Sequence, residues 1–489
     1  MQTDPQLRRL ALGTLLAAFP GHRPPAWATA FVEQGLAGHV LFGYNVADPA
    51  QLAELTARLR AARPDVLVAI DEEGGDVTRL AHATGSPYPG NAALGAVHDV
   101  SLTRRVYRQI GAELAAVGVN VNLAPSVDVN TTHDNPVIGT RSFAADPARV
   151  AAHAVAAVTG LQQAGVAACA KHFPGHGATD TDSHHELPIV DAPLDTLRVR
   201  ELPPFCAAIA ADVKAVMTAH IRVPALTGDG PATFSRAALV DLLRGELGFT
   251  GAVITDALEM KGSVKAAGGV PQAAVRALAA GADLMCIGSV VDADLVEATV
   301  AEIVAAVRDG RLPAGRLEEA CVRAAALAAW TLGEGADEHD PDLGYAAARR
   351  AVHVTGSVDL DRTPLVVQIE IESTIAEGRV PWGLAPHLPD AGRPGAPEHL
   401  RVTAEQTTVD DLVAAAAGRP IVVVTRHTHR KPAARALIEA LVTAYPVIVV
   451  EMGWPAGWRP DGAKAFLLTH GASHANGRAA AEALGLWPA

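Results

Sequence analysis

Aromatic residues make up only 4% of this 489-residue chain, which excludes a binding surface paved with Trp and Tyr. Cysteine is scarce too: Cys169, Cys206, Cys286 and Cys321 lie far apart, in apolar stretches. No Cys-x-x-Cys pair or Cys/His spacing suggests zinc, and buried free thiols in a reducing compartment are the expectation. Basic runs are missing. With a formal net charge of −13, neither nucleic acid nor an anionic membrane fits as a partner, although acidity also serves solubility alone. No apolar stretch reaches the ~20 residues that a membrane span needs. The run from Arg8 to Phe19 faintly resembles a leader peptide, but Gly13 and Thr14 break it and Pro20 and Pro24 follow. It is read as the first helix of the fold.

What is present is apolar and globular in composition, 49% hydrophobic against 19% charged, and long enough for two or three domains. Strand-like runs begin at Gly38, Val66, Val119, Ala167, Ala215, Ala252 and Leu284. Each is continuously apolar rather than alternating, as in parallel strands covered on both faces. Amphipathic helical stretches lie between them. Seven strands are one short of a (β/α)8 barrel. The polar residues gather at the strands' carboxyl ends (Asn45, Asp71, Asp128, Lys171, His172, His220 and Asp256), where barrel enzymes build their sites. We therefore expect an α/β fold: a TIM barrel over residues 1–333, followed by a smaller open α/β sandwich. The acidic, Gly-rich residues 334–345 open a linker that extends to 350. The sandwich spans 351–489, with strands near Pro364, Pro420, Pro446 and Ala465.

The densest chemistry lies in Lys171-His172-Phe173-Pro174-Gly175-His176-Gly177, followed by Asp182-Ser183-His184. Lys171 and His172 can donate to substrate oxygens from a strand end. Asp182 and His184 stand two apart on a loop. A carboxylate bonded to one imidazole nitrogen fixes the tautomer and leaves the other to move a proton near neutral pH. Ser183 makes a Ser-His-Asp triad a rival, but neighbouring residues rarely aim at one point and no G-x-S-x-G elbow is present. Asp256 follows the apolar run Ala252–Thr255 and could cap the next helix or act as a nucleophile. A lone Gly-rich loop at Thr469–Gly477 is a weak signal and is read as structural.

KHFPGHG followed by DSH resembles the signature of bacterial family 3 β-N-acetylglucosaminidases of the NagZ type. So do Asp71–Arg79 (similar to D-x-E-G-G-x-V-x-R), Asn135–Phe143 (similar to the R-S-F loop) and Thr255-Asp256-Ala257-Leu258. Ala178 stands where many members carry Asp. The resemblance covers the whole N-terminal region. It implies a retaining exo-glycosidase in which Asp256 attacks the anomeric carbon and His184, paired with Asp182, is the acid/base. Asp71, Arg141, Lys171 and His172 would hold the sugar. No metal or cofactor is implied. The expected partner is a small N-acetylglucosaminide, from muropeptides or chitin, in the cytoplasm. An imidazole acid/base would not repel an incoming anion as a carboxylate does, so transfer to phosphate is an alternative. A family 3 β-glucosidase and a non-catalytic sugar-binding protein are further rivals.

Overall fold

The computed structural model describes residues 4–182, 186–330, 339–389, 393 and 395–487. It divides into two compact units, residues 1–73, 100–138 and 144–339 in the first, and 74–99, 139–143 and 340–489 in the second.

The first unit is an eight-stranded parallel barrel. Its strands are β1 (Leu15–Ala17), β2 (Gly38–Leu41), β3 (Leu67–Ile70), β4 (Val121–Asn122), β5 (Ala167–Phe173), β6 (Ala215–Thr218), β7 (Ala252–Thr255) and β8 (Met285–Cys286). They lie in the order β7-β6-β5-β4-β3-β2-β1-β8, and a bridge between Ile254 and Leu284 joins the two ends. The expected TIM barrel is therefore present. Its missing strand is β1, inside the stretch read as a helix. Only Pro5–Leu12 is helical; that helix stops at Gly13. Leu15, Leu16 and Ala17 are buried, and three wholly buried residues carry no periodicity that could tell a strand from a helix.

Local signals set the helices between the strands. Three of them open on Asp-Pro, at Asp4-Pro5, Asp48-Pro49 and Asp146-Pro147, with the Asp side chain accepting first-turn N–H groups and proline at the first helical position. Each cap is worth ~1 kcal/mol. The barrel interior is filled by small and branched side chains, among them Val40, Ala69, Leu123, Cys169, Met217 and Ile254. Strands β2 and β3 approach so closely that a Cβ on Gly38 would stand 2.1 Å from the Leu67 carbonyl oxygen. Cys169 and Cys286 are buried free thiols, but Cys206 is exposed and Cys321 only part-buried, so burial of all four does not hold: Cys206 sits on the outer face of the helix Leu202–Ala210.

The second unit is an open sheet of β9 (His353–Gly356), β10 (Leu365–Ile369), β11 (Glu398–Val402), β12 (Ile421–Thr425), β13 (Val447–Glu451) and β14 (Ala465–Leu468). The order is β11-β10-β12-β13-β14-β9, with β9 alone antiparallel. One apolar layer packs on each face, the sandwich the sequence led us to expect. Of the segment 334–350 read as a linker, residues 334–338 lie outside the described residues, and the helix Leu343–Ala351 takes up its end. Segments 74–99 and 139–143 belong to this unit through specific contacts. Gly344 abuts the Pro87 carbonyl, where a Cβ would come within 2.0 Å. Arg79 donates to the Ala376 carbonyl at 2.8 Å, and the Ala472 N–H donates to Asp76 at 2.7 Å.

Candidate active site

Parallel strands deliver their last residues to one end of a barrel, so β3, β5 and β7 bring Asp71, Lys171 and Asp256 to the same rim. Lys171 is the pivot. Its side chain is only 2% exposed, and its ammonium lies 2.7 Å from both Asp71 Oδ1 and Glu73 Oε1. Asp71 thus pairs with Lys171. Burying a lysine between two acids is costly unless each charge is met, and here all three belong to one hydrogen-bonded group.

His172 is the next residue along β5. Its Nδ1 lies 2.7 Å from Asp128 Oδ2. Asp128 also accepts the His172 N–H at 3.2 Å, the His176 N–H at 2.6 Å and the Ser126 hydroxyl at 3.0 Å. Burial alone would raise the Asp128 carboxyl. The charge and hydrogen bond of His172, with those of His176, hold it below the usual carboxylate range instead. The arrangement fixes the Nδ1 side of the imidazole. Asp128 and Glu73 are the residues that the sequence did not point to as part of the site; Asp128 illustrates why. It was visible only as one more polar strand end, and its partner lies 44 positions away.

The loop after β5 is shaped by close packing. A Cβ on Gly177 would meet the Val129 carbonyl oxygen at 1.9 Å, and one on Gly175, at φ +130°, would meet Glu201 Cγ at 2.5 Å. Only glycine fits either position. His176 is buried, lies within 2.7 Å of the Thr179 hydroxyl through Nδ1, and is pushed down to about 4 by burial, against the pull of Asp128. It is a neutral brace for the loop.

Asp256 follows β7. Its N–H donates to the Thr218 carbonyl at 3.3 Å and its Oδ1 accepts the Ala257 N–H at 2.7 Å. His220, at the end of β6, spans the Thr233 hydroxyl (2.8 Å) and the Ala257 carbonyl (3.1 Å), so it supports the Asp256 turn from behind. Burial raises the Cys169 and Cys286 thiols, and the charges of both Asp71 and Asp256 raise them further. Asp182 is part-buried, and its carbonyl accepts the Glu186 N–H at 3.1 Å. Ser183 and His184 lie outside the described residues. Arg141 ends the short 3-10 turn Gly139–Arg141 and is buried in the second unit, its carbonyl accepting from Asn91 at 2.7 Å.

Comparison with known proteins adds descent to this geometry. Residues 13–327 match the family described as glycosyl hydrolase family 3 N terminal domain. Beta-hexosaminidase A of Pseudoalteromonas piscicida is 39% identical over 261 residues, which are 49% of this chain and 44% of that protein. The chain thus spans under half the length of that relative. A Mycobacterium tuberculosis beta-hexosaminidase is 37% identical over 316 residues, covering 63% of this chain and 79% of its own. Among solved structures, a glycoside hydrolase family 3 beta-N-acetylglucosaminidase from Paenibacillus sp. str. FPU-7 superposes with a TM-score of 0.87 at 33% identity, over 100% of this chain and 98% of that one.

Proposed function

We propose that this chain, which belongs to glycosyl hydrolase family 3, is a retaining exo-β-N-acetylglucosaminidase that works through a covalent glycosyl–Asp256 intermediate. The observation that carries the reading is the buried Asp71–Lys171–Glu73 group, on the same barrel rim as Asp256. A lysine held this way presents a fixed charge, and the Asp71 side chain stays part-exposed. Together they suit the hydroxyls of a terminal sugar, which is what exo action requires. The beta-hexosaminidase relatives supply the sugar class.

In a retaining glycosidase two groups flank the scissile bond, one as nucleophile and one as acid and then base. Asp256 fits the first role, because its backbone hydrogen bond and the His220 brace aim its carboxylate from the end of β7. The second falls to His184 with Asp182, which follow the KHFPGHG motif in the sequence. His172, locked by Asp128, is a donor to the sugar, and Arg141 a further one. The four free cysteines favour a reducing cytoplasmic setting. Among the described residues no helix is long and apolar enough to cross a membrane.

The test is product analysis with an aryl β-N-acetylglucosaminide, with and without inorganic phosphate. Free N-acetylglucosamine of retained β configuration at a phosphate-independent rate is the expected result. N-acetylglucosamine 1-phosphate would instead make the chain a phosphorylase that uses the same residues. No release of the aryl group under either condition would leave the sugar-binding reading.

A further inference from the structure

The second unit holds a cluster that the glycosidase reading does not use. Its open sheet reverses direction between β10 and β12: from β10 the chain steps to β11 on one side, then to β12 on the other. In open α/β sheets, ligands lie in the crevice beyond the carboxyl ends of the two strands at such a reversal. Glu377 lies on the segment that leaves β10, and His427 stands two residues beyond β12. Asp76, from segment 74–99 of the same unit, completes a trio whose ligand atoms all lie within 4.8 Å of one another, with all three residues buried.

The hydrogen bonds leave these atoms with lone pairs to spare. Asp76 Oδ1 accepts the Ala472 N–H and Oδ2 the Thr140 hydroxyl, each at 2.7 Å. Glu377 Oε2 faces Arg426 at 3.5 Å and accepts the Thr374 N–H at 3.1 Å. Glu377 Oε1 stands 3.8 Å from His427 Nε2, too long for a hydrogen bond. Among the described residues that buried nitrogen has no hydrogen-bond partner. The residue is held in place: the His427 backbone N–H donates to Glu451 at 2.7 Å, and Gly453 packs so tightly that a Cβ there would lie 3.0 Å from His427 Nδ1. Among the described residues, Asp76, Glu377 and the adjoining buried Glu451 are met by the Arg426 guanidinium, and the excess of acid is one that a buried cluster must meet with protons or a cation.

We propose that Asp76, Glu377 and His427 form a divalent transition-metal site, ligated by one oxygen from each carboxylate and by His427 Nε2. One imidazole with two carboxylates suits zinc or its first-row neighbours rather than magnesium or calcium. The 3.8 Å gap between Glu377 Oε1 and His427 Nε2 is one that two ligands of a common ion span at bond lengths of ~2.1 Å. The sequence implied no metal because the ligands stand 301 and 50 positions apart (377 − 76 and 427 − 377). A bound ion would tie the segment that follows β3 to the sheet, independently of what the barrel hydrolyses.

The full chain, stripped with a chelator and dialysed, is titrated with Zn2+ and read by metal content and by Tm. We expect one equivalent to bind with a rise in Tm, and E377Q and H427Q each to weaken binding at least tenfold. Crystals soaked in Zn2+ give a reading that needs no variant: an anomalous peak between the three side chains supports the site. No such peak, a peak elsewhere only, or undiminished Zn2+ binding in folded E377Q and H427Q overturns it, leaving a proton shared between the acids as the occupant.

Discussion

Lys171 is almost fully buried between two carboxylates, Asp71 and Glu73. Asp71, Lys171, His172 and Asp256 were legible in the sequence for one reason: each is a polar residue ending an apolar strand, where a core residue would otherwise stand. What was not legible was pairing between neighbouring strands far apart in sequence, such as Asp128 with His172, because long-range partners leave no spacing signal. Asp256→Asn should reduce kcat by at least ~10³-fold, as loss of a nucleophile does, with the fold intact by circular dichroism; near-normal turnover would contradict the assignment. Asp128→Asn leaves three donors and one imidazole nitrogen around an amide. It should lower kcat/KM by on the order of 10²-fold, the cost of an ångström of misplacement. Most of the loss should fall in KM if His172 binds sugar, and in kcat if it moves a proton. His184→Ala should retain a burst of aryl alcohol from an activated leaving group and then stall.

At the scale of elements, the continuous apolar runs identified seven of the eight barrel strands and four of the six sheet strands. Strands β9 and β11 escaped because they are edge strands, mostly exposed or half-buried, and their side chains (His353, Glu398, His399 and Arg401) carry no buried pattern. The loop after β5 depends on a carbon-free approach. Gly177→Ala should push Val129 and the Asp128–His176 hydrogen bond apart and cost ~1–3 kcal/mol, along with most activity; measured stability within ~0.5 kcal/mol of the parent would refute the close packing. Buried histidines make the barrel sensitive to acid. His39 on β2, like His176, is fully buried and held at about 4 by burial, against ~6.5 in an unfolded chain. As pH falls from ~6.5 to ~4, the unfolded chain takes up protons that the folded one refuses. Stability then drops by ~1.4 kcal/mol per pH unit for each group. Urea midpoints should fall between pH 7 and 5, and less steeply in His39→Gln; equal slopes would show that His39 is not buried neutral.

At the scale of the molecule, composition and alternation announced an α/β barrel with a second α/β layer, yet they could not show that residues 74–99 and 139–143 fold with the second unit. Nothing local marks that exchange. It depends on contacts such as Gly344 on Pro87 and Arg79 on the Ala376 carbonyl, hundreds of positions apart. A chain stopped after His339 removes those partners. It should be expressed as an unstable or aggregated barrel with early proteolysis within 74–99; a stable monomer of undiminished Tm would contradict this division. The most direct measurement on the whole protein uses a slowly released 5-fluoro aryl N-acetylglucosaminide, with peptide mass spectrometry of the quenched enzyme. One glycosyl unit on the peptide carrying Asp256, lost again on incubation without the reagent, is the expected result. An unlabelled enzyme that nevertheless turns over the parent substrate, or a label on any other carboxylate, would contradict Asp256 as the nucleophile.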